Sequence, residues 1–120
     1  MSDRKRGNYL SVTQVVALRD WAQGVHRMFP KDSPVYQVGS TLHRLDWRDV
    51  DVRLLMADKR YDRLVATLDV GRLNYSVSLW GQQVTGLPID FQVQRRTEAN
   101  AEFPAWRKSA WRNPLIWIES

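Results

Sequence analysis

Cysteine is absent from the 120 residues, which removes disulfides, thiolate zinc sites and a cysteine nucleophile from consideration. Histidine is scarce as well. With only two of them, oxygen ligands and two imidazoles are all that remain for metal or base chemistry. No stretch approaches the roughly 20 apolar residues needed to cross a bilayer, and the charged opening "MSDRKRGNYL" lacks the apolar core of a signal peptide. The expectation is a cytoplasmic protein with no membrane association. Internal repeats, low-complexity runs and linker-like stretches are also missing, so residues 1–120 read as one domain, long enough for a core without staples.

What is present is ordinary for a globular chain: 43% hydrophobic and 26% charged residues, which argues against disorder. Eighteen basic residues against thirteen acidic ones give a formal charge of +5. Such a balance favours an anionic partner, with nucleotide, RNA or DNA the usual ones. Simple solubility explains the same balance, and composition does not choose between the two.

From Ser11 to Phe29, apolar residues recur at Val12, Val15, Val16, Leu18, Ala22, Val25 and Met28, close to a 3.6-residue period. This predicts an amphipathic helix, capped by Ser11 or Thr13 and stopped by Pro30. Val35–Val38 reads as a short strand between Pro34 and Gly39, and 40–48 as a polar helical turn. In Asp49–Met56, Val50 and Val52 point one way and Asp49, Asp51 and Arg53 the other, as in a strand. Between Lys59 and Gln83 two helical stripes follow, Leu64, Val65 and Leu68, then Leu73, Val77, Trp80 and Val84, with Gly71 a break and Asp69 a cap. "IDFQVQ" alternates again, with Ile89, Phe91 and Val93 opposite Asp90, Gln92 and Gln94. The predicted fold is α+β: a single small domain with a mixed β-sheet, helices packed on one face and the other face partly open. Its core runs over 11–95. The Trp- and Arg-rich C-terminal segment 96–120 follows, with "PLIWI" expected to dock on the body.

The chemistry-bearing residues gather on the open side. Residues i and i+2 of a strand share a face about 6 to 7 Å apart, so Asp49 and Asp51 can reach a common ion. Magnesium takes hard oxygen ligands and often only one or two carboxylates, the rest of its shell being water and phosphate oxygens. Asp90, alternating with apolar partners on a later strand, can complete a site for two ions of the kind that serves phosphoryl or nucleotidyl transfer. Gly39 allows close approach of the backbone to a ligand and Ser40 adds a hydroxyl. The plainer reading of "DVDV" is a solvated strand face with Arg53 pairing across it, and of Asp90 a turn cap after "GLP".

Taken together, a strand ending in Gly39-Ser40, an interval, Asp49-Val-Asp51-Val and a later lone Asp90 resemble the nucleotidyltransferase superfamily typified by DNA polymerase beta. The likeness is closest to its small single-domain "minimal" members and covers Val35 to Gln94 with the preceding helix. It implies that Gly39 and Ser40 hold the triphosphate of an NTP, with ATP the first candidate. It implies that Asp49 and Asp51 bind two magnesium ions and that Asp90 binds the catalytic one and helps activate the acceptor hydroxyl. The implied activity is transfer of a nucleoside monophosphate from NTP to a hydroxyl of RNA, tRNA or a protein, with release of pyrophosphate. The interval "TLHRLDWR" departs from the family, since many active small members have Arg-Gly after Gly-Ser and Ser before the first aspartate. An alternative therefore stands beside the enzyme: an inactive module on the same fold that binds nucleotide, nucleic acid or a protein partner. A homodimer or a partner protein fits either reading.

Around the acids, Arg44 and Arg48 are candidates for nucleotide phosphate, since a planar guanidinium suits phosphate oxygens. Arg53 serves equally as a phosphate contact or as a counter-charge. His43 reads as a phosphate contact or a surface histidine, and His26 as a partner of its helix dipole. Arg95 and Arg96 form a basic rim or a solvated strand end. Trp21 and Trp80 are expected in the core and Trp47 near a nucleobase. Trp106 and Trp111, among Arg107, Lys108 and Arg112, either meet single-stranded nucleic acid or close a sheet edge or dimer contact.

Overall fold

A computed structural model describes residues 7–102 and 112–116. Helix α1 spans Val12–His26, starting at Ser11, whose hydroxyl accepts from the Gln14 N–H while the Gln14 side chain accepts from the Ser11 N–H. This reciprocal cap satisfies two N–H groups that the first turn leaves without helical partners. Strand β1 is Val35–Val38, followed by a 3₁₀ turn over Gly39–Leu42 and strand β2 at Val50–Met56. Helices α2 (Asp58–Thr67) and α3 (Val70–Thr85) then lead to strand β3, Ile89–Arg95. Helix α4 (Arg96–Glu102) and strand β4 (Asn113–Ile116) complete the described chain.

The four strands form one mixed sheet in the order β3-β2-β1-β4. Strand β1 runs antiparallel to both β2 and β4, whereas β2 and β3 are parallel. This is the α+β domain with a mixed sheet that the alternation patterns predict. Val50, Val52 and Leu54 of β2 and Ile89, Phe91 and Val93 of β3 are buried on one face. They meet Leu18, Trp21, Ala22 and Val25 of α1 and Val77 of α3 in a single cluster. Trp21 sits edge-on to both Phe91 and Trp80, with ring centroids 6.2 and 6.0 Å away. Within this core Gln37 is fully buried, and its amide pairs with Asn8, Thr41 and Asn113, tying the residues before α1 to β1 and β4. The "PLI" part of the expected docking segment is thus an edge strand on β1. Trp117 and Ile118 lie outside the described residues, as do Trp106, Arg107, Lys108 and Trp111.

Several local expectations shift. Asp69 caps α3 as predicted, its carboxylate accepting from the Arg72 N–H, but Gly71 lies inside the first turn of α3. The break is at Leu68, which is extended. The Leu64, Val65 and Leu68 stripe does not make α2 a core helix: none of its residues is buried, and only Leu64 and Tyr61 touch the core. Trp80 and Val84 also keep much of their surface, as do Val12 and Val16 on α1 and Met28 just beyond its end. A helical period shows that a face is apolar, while the neighbouring elements decide how much of that face is covered.

Candidate active site on the open face of the sheet

The alternation that buries Val50, Val52 and Leu54 turns Asp51 and Arg53 to the opposite face of β2. The same alternation on β3 turns Asp90 and Gln92 that way. Because β2 and β3 run parallel in register Asp51↔Asp90, the two carboxyl-bearing residues stand side by side on one rung, one strand apart. On the other side, β1 pairs Val38 with Asp51, which brings the chain reversal after Val38 next to the same carboxylate. Asp49 lies just ahead of β2 and is exposed.

Gly39 makes the reversal possible in two ways. Its φ is +81°, a left-handed conformation that side chains with a Cβ rarely adopt. A Cβ there would also lie 2.3 Å from Asp51 Oδ2. Asp51 therefore leans over the Gly39 backbone in space that only glycine leaves open. Ser40 follows, half-exposed, and its carbonyl accepts the N–H groups of His43 and Arg44 to close the turn.

Arg53 is the counter-charge of the rung. One Nη donates to the carbonyls of Asp90 (2.7 Å) and Val52 (3.0 Å), fixing the guanidinium across β2 and β3. The other stands 3.8 Å from Asp51 Oδ1 and 3.9 Å from Asp90 Oδ2. At these lengths it shares its charge loosely between two acids. Asp51 accordingly has its pKa pushed up to about 6, chiefly because burial strips water from the carboxylate. Arg53 opposes that rise, while Asp90 and Asp49 add to it by like-charge repulsion and Asp90 also by hydrogen bonding.

The other expected site residues have surroundings of their own. Arg44 makes a two-pronged pair with Asp46, at 3.0 and 3.1 Å, on the exposed surface. That pairing holds the Asp46 carboxyl below its ordinary range and the guanidinium above its own. Arg48 is exposed, and Trp47 packs partly against the core rather than standing open beside the acids. His26 Nε2 lies 3.1 Å from the Lys31 carbonyl. Among the described residues no three His, Asp or Glu side chains converge as a ready-made metal cage. The Asp51–Asp90 rung with Asp49 beside it is a two-carboxylate site with a third acid at its edge, a donor set adequate for magnesium, which fills its shell with water and phosphate oxygens. The charge that burial leaves poorly solvated on Asp51 is what a cation there would offset.

Two arrangements here go beyond the expectations, which had Arg53 as a phosphate contact or counter-charge and Arg95 as part of a basic rim or a solvated strand end. The double backbone grip of Arg53 depends on a strand pairing that the sequence does not display. The second is Arg95 at the end of β3, which collects Asp58, Asp62 and Glu98 at 3.4, 3.0 and 4.0 Å. Among the described residues no helix is long and apolar enough to cross a membrane. Compared with family models, with curated proteins and with solved structures, the chain matches none of them.

Proposed function

We propose that this chain is a magnesium-dependent nucleotidyltransferase of the polymerase-beta type, acting in the cytoplasm and moving a nucleoside monophosphate from an NTP to a hydroxyl. The observation that carries the reading is the Asp51–Asp90 rung beneath Gly39: two carboxylates matched across parallel strands, one of them leaning over a glycine that must stay bare.

In this reading Asp49, Asp51 and Asp90 would hold magnesium. The ion would supply charge neutralisation on the phosphates and lower the barrier to attack by an oxygen nucleophile. Gly39 lets the triphosphate approach the backbone, and the Ser40 hydroxyl contributes a hydrogen bond to it. Asp90, whose side chain is 45% exposed against 22% for Asp51, is the acid within reach of an entering acceptor. It accepts the acceptor's hydroxyl proton as the oxygen bonds to the α-phosphorus and the bond to pyrophosphate breaks. Arg53 keeps both acids in place through its hydrogen bonds to the Asp90 and Val52 carbonyls. Positioning and charge compensation do the catalytic work, with little covalent chemistry by the protein.

The second reading, an inactive binding module, is favoured by Arg53 itself, since an internal guanidinium already offsets part of the acidic charge. Calorimetric titration of non-hydrolysable NTPs, with and without magnesium, separates the two. Magnesium-dependent binding that disappears in Asp49→Ala/Asp51→Ala is the expected outcome. Binding that is indifferent both to magnesium and to the substitutions supports the inactive module and refutes the enzyme.

A further inference from the structure

The open face of the sheet does not end at the acids. Along β2, Leu55 lies four residues beyond Asp51 on the same face, about 13 Å away at about 3.3 Å per residue. There Tyr36, Leu55 and Pro114 form the floor of a cavity of about 310 Å³, walled by Arg96, Asn100 and Arg112. The Arg112 guanidinium stands 4.7 Å from the centre of the Tyr36 ring, and Tyr36 pairs across the strands with Arg53. The cavity and the carboxylate rung are therefore two ends of one surface, with the Tyr36–Arg53 pair and the half-buried Gln92 between them.

Arg96 also borders a second cavity, of about 580 Å³, around the end of the sheet, where Lys59, Arg60 and Arg63 line the other wall. Two acids share these walls, Asp32 in the first cavity and Asp58 in the second. Asp58, Asp62 and Glu98 gather on Arg95, and the Asp58 carboxylate also accepts from the Thr97 hydroxyl and N–H. Among the described residues no carboxylate lies within ion-pair distance of Lys59, Arg60, Arg63, Arg96 or Arg112. Arg95 thus takes the ion pairs of three acids, and the surface leading away from the aromatic cavity carries five cations, Arg112, Arg96, Lys59, Arg60 and Arg63, against Asp32 and Asp58.

We propose that this surface receives the acceptor and that the acceptor is a single-stranded nucleic acid. Its bases stack at the Tyr36–Arg112 cavity and its phosphates follow Arg96, Lys59, Arg60 and Arg63, while its terminal hydroxyl reaches Asp90. An aromatic ring and a guanidinium plane accept any base by stacking, and a line of cations tracks a phosphodiester backbone. An acidic protein segment would use the cations but has no need of a stacking cavity aligned with them. The acceptor role rests on the nucleotidyl-transfer reading; the binding surface does not.

The test is fluorescence anisotropy with a short labelled single-stranded oligoadenylate, without NTP or magnesium, across a range of salt concentrations. Four phosphate contacts predict a log–log salt slope of about −2.8, at about 0.7 per contact. Lys59→Gln/Arg60→Gln/Arg63→Gln, all at exposed helix positions, should weaken binding at least tenfold and flatten the slope by about 2. Tyr36→Leu should weaken binding with the slope unchanged. Thermal melts of both variants establish that they are folded. Absence of binding, equal binding by both folded variants, or equally tight binding of polyglutamate would overturn the proposal. If the oligonucleotide binds but no NTP does, the surface stands and the transferase reading falls; if NTP binds and the oligonucleotide does not, this inference alone falls.

Discussion

Asp51→Asn should make the metal-free protein more stable at neutral pH and should abolish a pH dependence that the wild type shows. On folding, the Asp51 carboxyl moves from its ordinary value of 3.8 up to about 6, because burial removes the water that would solvate its charge. The folded state therefore binds this proton more tightly than the unfolded state does. Stability consequently falls as pH rises from about 4 to about 6, and then levels off with the whole penalty in force. At 1.36 kcal/mol for each tenfold change in proton affinity, the penalty is at most about 3 kcal/mol. Asp51 keeps 22% of its side-chain exposure, and solvent screening reduces that figure to about 1–2 kcal/mol. Asparagine keeps the shape and a hydrogen-bonding group toward Asp90 while discarding the charge. For a chain of this size each kcal/mol is worth about 3–5 °C, so the variant should melt several degrees above wild type near pH 7.5. The gain should shrink to nothing near pH 4, where wild-type Asp51 is protonated. Thermal melts of both proteins from pH 4 to 8 in a chelating buffer read this directly. A variant less stable than wild type at pH 7.5, or a gain equally large at pH 4, would refute the account of Asp51 as a desolvated, charge-crowded acid.

Gly39→Ala should cost about 1–2 kcal/mol for the left-handed backbone alone, and more because its Cβ displaces the Asp51 carboxylate. Denaturant melts of a double-mutant cycle with Asp51→Ala should recover the second part and leave the first, whereas strict additivity would show that the two residues do not meet. Gly81→Ala should destabilise by about 1–3 kcal/mol despite alanine's better helix propensity. Its Cβ would lie 2.7 Å from a Trp21 ring carbon and 3.1 Å from Ile89 Cγ1, and a Tm at or above wild type would contradict that packing.

The candidate site was legible to the extent that strand geometry is local. That Asp51 occupies the face of β2 opposite Val50 and Val52 follows from a period of two and needs no knowledge of neighbours, whereas Asp49, expected in the same strand, lies just ahead of it. The Asp51–Asp90 rung is of another kind, because its register is fixed by how α2 and α3 carry the chain from Met56 back to Ile89. Arg44 looked like a phosphate ligand by its position between Gly39 and Asp49, yet Asp46, two residues away, holds it on the surface. Gly39 was recognisable as a glycine near the acids. That it must be one became visible only when β1 and β2 were paired and Asp51 was seen to fill the space of its missing Cβ.

Thus the chain's local chemistry decided where helices start, as at Ser11 and Asp69, which strand residues are apolar, and that Asp51 faces away from the apolar side of its strand. Those outcomes depend on hydrogen bonds and periodicities spanning a few residues. Tertiary structure decided that α2 stays on the surface, that Asp51 meets Asp90 while losing water, and that Arg95 collects three acids. Each of those is a matter of desolvation or of charges far apart in the chain, and both take their values from the space between elements.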